Sequence, residues 1–120
     1  MNSRQMGNWY EELAAAYLEQ QGYQIIARQY RCRQGEIDLV ARDGENIVFI
    51  EVKGRRSARF GLPQEAVDLR KQQRIRRVAQ HFLWSNRQSE SLCRFDVIAI
   101  SSTGSGNHSI RHIEGAFSGC

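Results

Sequence analysis

The 120-residue sequence predicts an α/β domain, a mixed β-sheet with helices packed on it. Three observations predict that class. Two stretches place apolar residues at the 3.6-residue helical period. Five shorter runs are rich in β-branched and aromatic residues, with an Asp43-Gly44 turn signal between two of them. The resulting order, α-β-β-β-α-β-β, puts a crossover helix between the third and fourth strands, which implies a mixed sheet.

Taken in order, the first helix is expected over Asn8 to Gln21, where Leu13, Ala14, Tyr17 and Leu18 fall at helical spacing. Asn8 would cap it, Glu11 and Glu12 lie in the favourable first turn, and Gly22 is a natural stop. Strands follow at Tyr23 to Arg31, Glu36 to Arg42 and Asn46 to Lys53, carried by Ile25, Ile26, Ile37, Val40 and the run Ile47 to Ile50. Gly54 to Pro63 reads as a basic loop. A second helix is expected from about Gln64 to Leu83, with Val67, Ile75, Val78, Ala79, Phe82 and Leu83 on one side of the wheel. Arg70, Arg74 and Arg77 cluster on another side, and Lys71 projects close to the apolar stripe. Arg94 to Ile100 reads as a strand, Ser101 to Asn107 as a turn and Ser109 to Ile113 as a last strand. Trp9, Trp84, Phe60 and Tyr10 read as core or rim aromatics.

Length and composition set the bounds. Residues 1–120 make one domain, since a domain takes roughly 100–200 residues. With a mean hydropathy of −0.56 and no long apolar run, the chain is expected to be soluble and cytoplasmic, with no membrane partner. Cys32, Cys93 and Cys120 are odd in number and widely spaced, which argues against a disulfide framework and a zinc site. Residues 54–94 hold ten basic and three acidic side chains, a balance of +7 that leaves −3 for the rest of a +4 chain. That asymmetry points to a surface for a polyanion. Fifteen of the seventeen basic residues are arginine, whose planar fork suits phosphate.

Four charged residues in apolar strands demand a reason: Glu36, Asp38, Glu51 and Lys53. A bare charge there is costly unless paired or metal-bound. Alternation puts Glu36 and Asp38 on one side of their strand, and Glu51 and Lys53 on one side of theirs. In an antiparallel hairpin, paired residue numbers share a constant sum. A sum of 89 sets Asp38 opposite Glu51, whereas 87 pairs Glu36 with Glu51 and leaves Asp38 diagonal. Opposed carboxylates repel. A hard divalent cation between them turns that repulsion into binding, and Mg2+ or Mn2+ held by one or two carboxylates plus water and phosphate oxygens is the expected cofactor. Lys53 would point into the same place to hold a water or offset charge on a phosphate. An ordinary cross-strand salt bridge would use the same residues.

The run GEIDLVARDGENIVFIEVKGRR, Gly35 to Arg56, is similar to the PD-(D/E)XK restriction-endonuclease-like superfamily. The chain as a whole looks most like the YraN family of small bacterial proteins, distantly similar to archaeal Holliday-junction resolvases. EELAAAYLEQQGY, FGLPQEAVDLRKQQRI, RFDVIAI and the closing I-x-x-I-x-x-A-F carry that resemblance along nearly the full length. It implies a three-layer fold, a central mixed sheet flanked by helices. It also implies that Asp38 is a metal-binding aspartate and that Glu51 and Lys53 are the E-x-K ligand and catalytic lysine. Glu11 would be the first-helix glutamate that completes the metal site, Glu36 an accessory acid of the GEID segment, and Lys71 a second-helix lysine that approaches phosphate. The superfamily's leading Pro-Asp is replaced by Ile37-Asp38. The function so implied is a divalent-metal-dependent nuclease hydrolysing phosphodiester bonds in DNA, on branched or structured substrates, with Arg55, Arg56, Arg59, Lys71 and Arg74 on the backbone. Resolvase-like action would require two sites and hence a homodimer. The competing reading is a non-catalytic nucleic-acid-binding module that keeps the nuclease fold.

Overall fold

The computed structural model describes residues 2–55, 67–102 and 106–120. Helix α1 (Ser3–Gln20) leads into strands β1 (Gln24–Cys32), β2 (Gly35–Asp43) and β3 (Asn46–Arg55). Helix α2 (Leu69–Ser85) then precedes β4 (Leu92–Ser102) and β5 (His108–Phe117). The strands form one sheet in the order β1-β2-β3-β4-β5. Only β3 and β4 run parallel, and every other neighbouring pair is antiparallel. The expected α/β class and element order are those observed.

The sheet separates two cores. Ile47 and Phe49 of β3 pack with Ile75, Val78, Ala79 and Phe82 of α2. Their neighbours Val48 and Ile50 pack on the other side with Ala14, Ala15 and Leu18 of α1. Two-residue alternation along a fully buried strand thus feeds a helix on each face. Truncating a buried phenylalanine such as Phe49 would cost about 3–5 kcal/mol.

Several element ends differ from the sequence reading, each for a local reason. Helix α1 begins at Ser3 rather than after Asn8, because the Asn2 side chain accepts from Gln5 N–H while the Gln5 side chain accepts from Asn2 N–H. Met6 and Trp9 extend its apolar stripe into those added turns. Helix α2 begins at Leu69, not Gln64, because Asp68 is extended and its carboxylate caps the Lys71 N–H at 2.8 Å. Strand β5 runs on to Phe117 rather than stopping at Ile113. Its register shifts between Phe95↔Phe117 and Val97↔Ile113, and Gly115, at φ 60°, takes the turn of that bulge. Cys93 and Cys120 are joined as a disulfide with Cα atoms 5.4 Å apart, contrary to the expectation of three free thiols, and only Cys32 is free. The spacing of 27 residues gave no hint of it, because β4 and the chain end meet only through the β4–β5 pairing.

Candidate functional site

The β2–β3 hairpin closes with Asp43 opposite Asn46 and continues to Leu39 opposite Ile50, so the paired numbers sum to 89. That register aims Asp38 at Glu51. The ladder stops one step short of them, and the Val52 N–H donates to Asp38 Oδ2 at 2.8 Å instead. The Asp38 carboxylate thereby takes the role of a strand carbonyl at the point where the two strands part.

A crease in the sheet causes the parting. Ile37 and Val40 both pack on the α2 side while Leu39 packs on the α1 side, so the alternation slips between 37 and 39. The β1 register sets Gln29 against Asp38, between Arg28↔Leu39 and Tyr30↔Ile37, and Gln29 has a φ of 49°. A non-glycine residue rarely adopts that conformation. Glu11 reaches across from α1 to accept from the Gln29 side chain at 2.9 Å. Asp38 therefore stands on the crease, bordering two open clefts. One, of about 540 Å³, is lined by Glu36, Glu51, Lys71, Arg74, Arg31 and Arg33 among others. The second, toward α1, is lined by Tyr10, Glu11, Val52, Gly54 and Arg55 among others.

Glycine at 54 is required for that second cleft. A Cβ there would overlap the Tyr10 ring. With no side chain at 54, Tyr10 lies flat on β3 and its hydroxyl reaches Ser102 Oγ at 3.1 Å.

Electrostatics follow from the placement. Glu51 is 9% exposed and sits beside two ammonium groups, with Oε1 2.6 Å from Lys71 Nζ and 3.7 Å from Lys53 Nζ. Burial pushes the Asp38 carboxyl up to about 7, and the negative charge of Glu51 pushes the same way, only partly offset by the Val52 N–H. Lys53 is held below the ordinary lysine value by burial and by the adjacent Lys71 ammonium. Burial also disfavours charge on Lys71, but its hydrogen bond to Glu51 outweighs that and raises it.

The site residues expected from sequence divide into four groups. Asp38, Glu51, Lys53 and Lys71 come together, and Arg74 lines the same cleft. Glu11 stands on the α1 flank, close enough for its charge to act on Asp38 but engaged by Gln29; Arg55 lines that second cleft. Glu36 lies at the cleft edge and is bonded to Arg31 at 2.7 Å. Glu36 and Asp38 line the same cleft. Arg56, Arg59 and Phe60 lie outside the described residues. Sequence reasoning missed Gln29, Arg31, Arg33 and the Tyr10–Gly54 contact. The Arg31-Cys32-Arg33 triplet beside GEID was the available signal for two of them.

A divalent cation fits the donor set in kind. Asp38 and Glu51 are hard oxygen donors set against each other, and Mg2+ commonly takes one or two carboxylates with water and phosphate oxygens. Among the described residues no three His, Cys, Asp or Glu side chains converge as a ligand set, so the chain itself would supply only this pair. No helix among them is long and apolar enough to cross a membrane.

Elsewhere, Asp96 is fully buried on β4. It accepts from Arg94 Nε at 2.8 Å and from Gly115 N–H at 3.0 Å, and its Oδ2 lies 2.7 Å from His112 Nε2. Burial alone would raise its pKa, but the bonds from His112, Arg94 and Gly115 hold it below the ordinary carboxylate value. It fastens β5 to β4 and pairs with Arg94.

Comparison with known proteins finds relatives across most of the chain. Residues 10–100 match the model of a family described as "Uncharacterised protein family UPF0102". A UPF0102 protein of Lachnoclostridium phytofermentans is 48% identical over 118 residues, covering 98% of this chain and 96% of the relative. One from Syntrophus aciditrophicus is 54% identical over 91 residues, 76% of this chain and 72% of that one. One from Moorella thermoacetica is 52% identical over 100 residues, 83% of each.

Proposed function

This chain belongs to the UPF0102 family, and we propose that it is a divalent-metal-dependent phosphodiesterase acting on nucleic acid, probed first as a DNA nuclease of restriction-endonuclease-like fold. The observation that carries the reading is the crowding of Asp38 and Glu51, two partly or fully buried carboxylates, against Lys53 and Lys71 in an open, arginine-bordered cleft. A structural salt bridge needs one acid and one base, and it gains nothing from a second carboxylate raised to about 7. The arrangement of α1, the β1–β2–β3 meander, a crossover helix and β4 parallel to β3 supports the fold reading.

In this reading Asp38 and Glu51 hold Mg2+ or Mn2+. Such a cation, when bound, activates water and offsets charge building on the phosphate. Lys53, with its depressed pKa, holds the attacking water and exchanges a proton with it more readily than an ordinary lysine. Lys71 pairs with Glu51 and aligns it, and its own ammonium offsets phosphate charge. Arg74, Arg31 and Arg33 at the cleft edge approach the backbone, and Glu11 steadies the crease through Gln29. Cutting a symmetric four-way junction would require two copies of the chain.

One observation favours the alternative of a non-catalytic binding module. The 2.6 Å Lys71–Glu51 contact already neutralises Glu51 without any metal. The deciding assay follows cleavage of labelled single-stranded, duplex, flap and four-way-junction DNA with Mg2+ or Mn2+, using wild type, Glu51→Gln and Lys53→Ala. Metal-dependent cutting by wild type alone upholds the nuclease. No cutting with any metal, alongside salt-dependent binding by all three proteins, replaces it with the binding module.

A further inference from the structure

The outer flank of α2 runs from Arg74 at the cleft edge to residues that the cleft chemistry does not use. Arg70, Arg74, Arg77, His81 and Trp84 recur every three or four residues and form one straight stripe along the helix. Arg74 lines the acidic cleft and lies over Gly35, so the stripe starts at the site. Trp84, at the far end, is 73% exposed. Ten residues of helix separate it from Arg74, about 15 Å at 1.5 Å per residue.

Two features distinguish the stripe from an ordinary solvated face. Arg70, Arg74 and Arg77 are exposed and make no ion pair among the described residues. Arg76 on the same helix, by contrast, donates to the Ser118 carbonyl at 2.7 Å and lies over the Phe117 ring. The exposed indole is also braced. Tyr30 of β1 bonds His81 through Nδ1, and the His81 ring stands 6.4 Å from that of Trp84. An indole usually buries some 150–250 Å² of apolar surface, so one held open beside a row of guanidiniums without an ion-pair partner among the described residues offers a face for a ligand.

We infer that this flank is a track for an unpaired nucleic-acid strand, whose phosphates lie along Arg74 and Arg77 and one of whose bases stacks on Trp84. The inference rests on the nucleic-acid reading above and names its substrate class. A duplex keeps its bases stacked inside and leaves Trp84 nothing to hold, whereas a single strand offers a π-face to an aromatic platform. At 3.4 Å per stacked nucleotide, the distance from cleft to indole corresponds to about four nucleotides. DNA and RNA share the required chemistry.

The test is binding in EDTA, so that cleavage plays no part. Wild type, Trp84→Ala, Trp84→Phe and Arg77→Ala are titrated by fluorescence anisotropy against labelled oligothymidylate, oligouridylate and a mixed-sequence duplex. Circular dichroism melts establish that each variant is folded. Trp84→Ala should weaken single-strand binding about tenfold and change duplex binding less than about twofold, and Trp84→Phe should restore most of the loss. Arg77→Ala should weaken single-strand binding and lower its salt slope by about one. Preference for thymidylate or uridylate names the natural strand, and either supports the track. Single-strand binding by wild type that Trp84→Ala leaves unchanged, or a preference for duplex, overturns the track while the nucleic-acid reading stands. Failure of wild type to bind any of the three at low salt overturns both.

Discussion

Replacing Asp38 by asparagine should make the protein more stable above neutral pH while removing one of the carboxyl groups of its cleft. The Asp38 pKa of about 7 stands against an ordinary value of 3.8. Between those values the folded protein keeps a proton that the unfolded chain has released. Stability falls as pH rises whenever the folded state binds more protons. The contribution of Asp38 is therefore fully present below 3.8, declines through the interval, and is lost once pH passes about 7. The difference of about three units, at about 1.36 kcal/mol each, sets an upper bound of about 4 kcal/mol. Asparagine keeps an oxygen acceptor for the Val52 N–H, so the variant changes charge with little change of shape. Urea unfolding of both proteins in EDTA at pH 4, 6 and 8 measures the effect. Asparagine should gain on wild type by about 2–4 kcal/mol between pH 4 and pH 8, with most of the gain between 5 and 7. Adding Mg2+ at pH 8 should stabilise wild type and leave the variant unmoved. Parallel pH profiles for the two proteins would refute the account of Asp38 as a carboxyl strained by burial and by Glu51.

Three further outcomes follow from the same structure. Lys71→Met removes the 2.6 Å partner of Glu51 and should cost about 1–2 kcal/mol in thermal unfolding, a value discounted because the lysine is partly solvated. As the chain has two lysines, the remaining Nζ signal in an NMR titration is that of Lys53, and its pKa should move upward toward the ordinary value once the neighbouring ammonium is gone. Gly54→Ala places a Cβ in the Tyr10 ring and should cost about 1–3 kcal/mol by urea unfolding, with Tyr10→Ala in the same chain relieving part of the loss. Asp96→Asn deprives half-buried Arg94 and His112 of their shared carboxylate, leaving Arg94 with Asp43 at 3.6 Å, and should cost about 2–4 kcal/mol at pH 7. Because the Asp96 pKa is depressed in the fold, that stability is present above the ordinary carboxylate value and lost as pH falls through the folded one, so the gap between wild type and variant should narrow in acid.

Much of the site was legible because a hairpin obeys arithmetic. Once Asp43 and Asn46 close the turn, the sum of 89 brings Asp38 toward Glu51 without any knowledge of the rest of the molecule. Lys53 follows from alternation, and Lys71 from its place beside the apolar stripe of a helix that must lie on the sheet. What resisted reading was local departure from period. Nothing in the sequence marks Gln29 for a φ of 49°, so the crease on which Asp38 stands could not be foreseen. Trp84 misled in another way. Tryptophan is highly buried on average, and a residue near a helix end reads as core or rim by default. Its exposure depends on where α2 ends relative to β1, which the sequence does not state.

The two lysines give the site its internal logic. Both lie beside Glu51, yet their charges are not equivalent. Lys71 is locked to the carboxylate at 2.6 Å and pushed up, while Lys53 stands 3.7 Å away and is pushed down. One fixed positive charge faces Glu51 across the cleft, and burial together with that same charge makes the second lysine reluctant to hold its proton. Asp38 completes the set from the opposite side, raised to about 7 by burial and by Glu51. A divalent cation and the Lys71 ammonium answer the same demand, which is neutralisation of Glu51. Metal entry would therefore weaken the Lys71–Glu51 pair, freeing that ammonium for phosphate, and draw the proton off Asp38. On the proposed reading, a bound cation would exchange a protonated, lysine-neutralised site for a metal-bound one, with Lys71 and Asp38 the groups that change partners.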